Sequence, residues 1–164
     1  MQNRQRTKSH KQPTTYSAFD TAIYYLTFRD RSRKELCDKL TEKGYEEAEI
    51  TETIEKLMSY GYINDERYAT SYIRSQMRGK GRRRITMELS GKGVDSEMTR
   101  ELCTELVPDE AETIYDLLER RYGNLNFTDA GQMRRMYSFF ARRGFRYEDI
   151  RRAVSEYRKN IEKI

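Results

Sequence analysis

The chain has 164 residues, of which 36% are hydrophobic and 36% charged, with 13 Tyr, 2 Pro and no Trp. So little apolar content and so much charge exclude one thick core and favour thin helical modules rich in surface. The net charge of +5 is unevenly spread: residues 1–17 hold four basic side chains and no acid, residues 18–61 sum to −3, and residues 62–107 and 108–164 sum to +2 each.

Residues 1–17, with Arg4, Arg6, Lys8 and Lys11, lack apolar periodicity and are expected to form a disordered basic tail. "AFDTAIYYLTF" follows, a first helix with Ala22, Tyr25 and Leu26 on one face. Ser32 and Glu35 make a capping-box pattern at the start of a second helix. That helix runs through Leu36 and Leu40 to Gly44, and "EEAEITETIEKL" is the third. The phrase then recurs. "KGYEEAEITETIEKL", "KGVDSEMTRELCTEL" and "RGFRYEDIRRAVSEY" place Gly44, Gly93 and Gly144 at intervals of 49 and 51 residues. Eight before each glycine stand Leu36, Ile85 and Met136, and four before it Leu40, Leu89 and Phe140. Ten after it stand Ile54, Cys103 and Val154, and thirteen after it Leu57, Leu106 and Tyr157. Offsets of three and four form one helical face on each side of a glycine that ends the preceding helix at positive φ.

The second copy opens with "NDERYATSYIRSQM", N-capped by Asn64, and its last helix starts at Asp95. The third opens with "PDEAETIYDLLERRY", where Pro108 suits a first helical turn. No segment alternates long enough for a strand. The pattern predicts an all-α fold of three tandem three-helix modules, residues 18–61, 62–107 and 108–164, in an elongated, curved array with short joints such as "YGYIND".

Catalytic chemistry has little to build on. The single His, His10, lies in the tail, so no His-based triad or multi-His metal site can form. No standard phosphate loop is present, and the glycine-rich "RGKGRRR" follows a helix, not a strand. Cys37 and Cys103 lack metal-ligand spacing and are expected to be buried thiols. No stretch reaches the ~20 apolar residues of a membrane span, and the N-terminus lacks a secretory apolar region. A cytoplasmic monomer with no cofactor, no metal and no membrane contact is expected, and not an enzyme.

The functional signal is "RSQMRGKGRRRI". Arg74, Arg78, Lys80, Arg82, Arg83 and Arg84 occur there without an acid, and Gly79 and Gly81 are expected to make a mobile joint between two helices. Guanidinium groups on such a loop suit phosphate oxygens or protein carboxylates, and basic side chains at the positive end of a helix do nothing for that helix. "RRYG" and "FFARRGFRYEDIRR" supply a second set. Arg142, Arg146, Arg151 and Arg152 join the candidate polyanion-binding residues, while Arg143 reads as the helix-ending counterpart of Lys43 and Lys92. The joints do not read as the short turn of a helix-turn-helix recognition pair and no basic-polar recognition helix stands out, which disfavours base-specific readout.

Over residues 18–157 the chain resembles the RecX family of bacterial recombination regulators. The resemblance is carried by "RSRKELCDKLTEKGY", "EEAEITETIEKLMSYGYINDERYATSYIRSQMRGKG", "RRITMELSGKGV" and the weaker "FARRGFRYEDIRRAV". The family commonly has a Pro after the loop glycine where Arg82 stands, implying a looser, more basic joint. The resemblance implies a modulator, usually inhibitory, that lodges in the groove of the RecA–single-stranded DNA filament and has no catalysis of its own. Partners are then the RecA filament and single-stranded DNA, directly or through the filament. A stand-alone nucleic-acid-binding protein without a recombinase partner is the alternative.

Overall fold

The computed structural model describes residues 15–107 and 109–162. Nine helices and no strand occur among them: α1 (Ala18–Leu26), α2 (Arg33–Lys43), α3 (Glu47–Ser59), α4 (Asp65–Gln76), α5 (Arg82–Gly91), α6 (Ser96–Leu106), α7 (Glu110–Tyr122), α8 (Ala130–Arg142) and α9 (Tyr147–Ile161). The basic tail up to residue 14 and the expected role of Pro108 lie outside the described residues. None of the described helices is long and apolar enough to cross a membrane, and no group of three or more metal-ligating side chains occurs among them.

The helices form three sets of three, each around its own core. Leu36, Leu40 and Leu57 centre the first, Ile73, Ile85 and Leu89 the second, and Ile114, Met136 and Phe140 the third. The twelve positions of the repeat are buried with one exception. Leu106 is only half-buried, and its neighbour Val107, just past the end of α6, enters the core instead. The expectation for the thiols holds for Cys103, which is buried; Cys37 is half-buried.

Three helix ends repeat one hydrogen-bond pattern. Gly44, Gly93 and Gly144 have φ of 92°, 76° and 85°. Each glycine N–H donates to the carbonyl three residues back, and the next residue (Tyr45, Val94 or Phe145) donates to Leu40, Leu89 or Phe140 five back. This Schellman closure satisfies helix carbonyls and turns an apolar residue back onto the core. Gly61, at φ 71°, closes α3 the same way. Helix starts follow the sequence signals too: Ser32 and Glu35 form the full capping box, and Asp95 accepts from Met98 N–H at 2.8 Å. The α7 start is capped by Asp109, which accepts from Ala111 N–H.

The described chain falls into two compact units, one ending at Asn64 and the other beginning at Asp65. The second and third modules therefore belong to a single unit.

Candidate functional site at the joint of the second and third modules

Residues 77–81, between α4 and α5, where two glycines suggest a mobile joint, are hydrogen-bonded to Arg143 at the end of α8. Gly81 is buried, and its N–H donates to the Arg143 carbonyl at 2.8 Å. Arg143 reaches back, Nη1 donating to the Gly79 carbonyl at 2.7 Å while its guanidinium lies 4.5 Å from the centre of the Phe139 ring. A Cβ on Gly81 would collide with the Gly144–Phe145 peptide, and a Cβ on Gly144 with the Arg84 backbone. Glycine thus serves close backbone approach, and the joint is fastened, contrary to the looser geometry that Arg82 in place of Pro implies. Arg143 is correspondingly more than a helix-ending cation.

The positive end of α5 carries Arg82, Arg83 and Arg84 against its own dipole. A carboxylate from α7 offsets this: Glu110, only 2% exposed, accepts from Arg82 N–H at 2.6 Å. Burial pushes the Glu110 carboxyl above its ordinary value, opposed by the Arg82 N–H and the Arg82 charge.

One turn along α5, Glu88 gathers three donors. Lys80 Nζ lies 2.7 and 2.9 Å from its two oxygens, Arg84 Nε 2.7 Å, and the Tyr72 hydroxyl 2.7 Å. Burial alone would raise this carboxyl, but the hydrogen bonds from Lys80, Tyr72 and Arg84 outweigh it and hold it at about 2. Burial and the bond to Glu88 push the Tyr72 phenol up to about 12.

The ten candidate residues therefore separate by partner. Lys80 and Arg84 are held by Glu88. Arg146 pairs with Asp149 at 2.9 Å, and Arg152 bridges Asp109 at 2.6 Å and Asp149 at 3.1 Å. Arg82 is half-buried at the joint. Arg74, Arg78, Arg83, Arg142 and Arg151 are exposed and make no ion pair or side-chain hydrogen bond among the described residues. In the "RRYG" stretch, Arg120 pairs with Asp116 and Arg121 lies over the Phe139 ring.

Arg83 stands between two grooves. One, of about 430 Å³, is lined by Arg82, Thr86, Met87, Ser96 and Arg100 besides Arg83. The other, of about 300 Å³, lies between Arg83 and the tyrosines Tyr137 and Tyr147. Arg100, Tyr137 and Tyr147 escaped the sequence reading. A signal existed for Tyr147: three residues past each repeat glycine stand Glu47, Ser96 and Tyr147, so the third copy puts an aromatic ring where the others are polar.

Models for the first, second and third three-helix domains of RecX match residues 18–57, 64–101 and 108–154 in that order. The chain belongs to the RecX family. It is 34% identical to the regulatory protein RecX of Vibrio vulnificus (strain CMCP6) over 145 residues, 88% of this chain and 95% of that one. It is also 34% identical to the regulatory protein RecX of Clostridium perfringens (strain SM101 / Type A), over 72% of this chain and 58% of that longer one. The crystal structure of RecX from Lactobacillus salivarius superposes with a TM-score of 0.75 at 31% identity, covering 85% of this chain and 94% of that one.

Proposed function

We propose that this RecX-family protein binds the filament formed by the RecA recombinase on single-stranded DNA. There it lowers ATP hydrolysis, strand exchange and filament growth, with no catalysis of its own. The observation that carries the reading is the match of all three family domains, in order, along nearly the whole described chain. The physical rationale is multivalency. Three linked modules address successive subunits of a repeating lattice, and each contact raises the effective concentration of the next. The exposed, carboxylate-free cations Arg74, Arg78, Arg83, Arg142 and Arg151 supply the electrostatic part of that contact, while Lys80, Arg84, Arg146 and Arg152 are partly neutralised within the fold.

Sedimentation with bare single-stranded DNA and with recombinase-coated DNA tests this directly. Coated DNA is expected to retain the protein at least tenfold more tightly. Equal retention on both would replace the regulator reading with that of a stand-alone nucleic-acid-binding protein.

A further inference from the structure

The groove between the start of α5 and the α8–α9 pair combines features that the basic residues alone do not explain. Arg83, Tyr137, Ser138 and Tyr147 line it, and the buried Phe145 and Ile150 form its floor. At about 300 Å³ it is near the lower bound of pockets that enclose small molecules, so it suits one or two flat rings. Tyr147 is 65% exposed at the first position of α9, where it adds little to the core. Its ring lies 5.5 Å from that of Tyr137, the two planes tilted by 30°. Arg151, one turn beyond Tyr147, is close enough to Tyr137 to favour charge on that phenol, although burial, the larger influence, raises its pKa. None of the groove's lining residues is acidic, and the nearby Asp149 is held by Arg146 and Arg152.

We infer that this groove is a base-stacking site for single-stranded nucleic acid, with Tyr147 and Tyr137 as the stacking platform and Arg83 and Arg151 receiving the flanking phosphates. An exposed ring face between guanidinium groups is what an unstacked base requires, because every base offers a π-face and every linkage a negative charge. An acidic peptide would engage the arginines and leave the tyrosine faces without a partner. The inference is independent of the recombinase reading, since it concerns naked nucleic acid.

The test measures fluorescence anisotropy of labelled oligo(dT) and of an abasic oligonucleotide of the same length, with no recombinase present. The full chain is expected to prefer oligo(dT) by about tenfold, in line with stacking on one or two rings. Tyr147→Ala should erase that preference and leave abasic binding unchanged, and Tyr147→Phe should keep it. The pair Arg83→Ala and Arg151→Ala should weaken both ligands alike and flatten the salt dependence by about one slope unit per lost phosphate contact. Circular dichroism verifies that the variants remain helical. Equal affinity for the two oligonucleotides, no binding of either, or equal weakening of both by Tyr147→Ala would overturn the inference. So would displacement by polyglutamate without any oligo(dT) preference, which assigns the groove to an acidic protein. Loss of the inference would leave filament binding standing, and failure of filament binding would leave a tyrosine-dependent oligonucleotide preference standing.

Discussion

Gly44 and Gly144 end α2 and α8 with nearly the same backbone, φ 92° and 85°, and the same pair of closing hydrogen bonds. Gly44 is exposed, whereas Gly144 faces the backbone of Arg84 on a different module. The repeat has copied a helix stop, and the third copy has also become part of a joint. A position five residues before each glycine makes the same point. Lys39 there forms an exposed pair with Glu42, Glu88 anchors Lys80, Arg84 and Tyr72, and Phe139 receives Arg121 and Arg143 on its ring. Core positions repeat because each module needs the same helix packing; the positions beside them diverge with what each module touches.

The largest effect that sharpens this contrast belongs to Gly144→Ala. A left-handed backbone strained by a side chain, together with collision against Arg84, is expected to cost about 2–4 kcal/mol by denaturant unfolding. Gly81→Ala comes next at about 1–3 kcal/mol. Gly81 has φ −77°, so its cost comes from the collision alone. Glu88→Gln should cost about 1–2 kcal/mol at neutral pH by weakening the bonds of Lys80, Arg84 and Tyr72. Its pH signature is specific. The folded-state carboxyl sits at about 2 against an ordinary 4.5, so its stabilisation is complete above 4.5 and is lost as pH falls toward 2. The Gln variant should flatten that acid limb in a stability–pH profile. The smallest cost, about 1 kcal/mol, is expected of Gly44→Ala, an exposed position whose left-handed backbone a side chain strains. A loss at Gly44 as large as that at Gly144 would break the comparison.

The fold was legible because helix periodicity and glycine stops are local. Leu36, Ile85 and Met136 are all fully buried, as their shared offset from the glycine requires. Leu106 departed by one residue because the chain leaving α6 turns Val107 inward, a matter of how that helix ends rather than of its periodicity. The candidate site was legible only as a concentration of charge. The acid that holds Lys80 and Arg84 lies outside the basic run, one turn further along α5. The residue that fastens the glycine loop, Arg143, is 64 positions from Gly79, and the carboxylate serving Arg82 N–H is 28 away. Local pattern carries no information about such pairings, so a fastened loop looked mobile and bound cations looked free.

The regulator reading is tested most directly by titrating the protein, below the concentration of its cognate recombinase, into preformed filaments on single-stranded DNA while following ATP hydrolysis. The expected result is a fall in DNA-dependent hydrolysis larger than one-for-one subunit masking would give, because linked modules engage several subunits at once. Hydrolysis that stays unchanged up to equimolar protein would contradict the account.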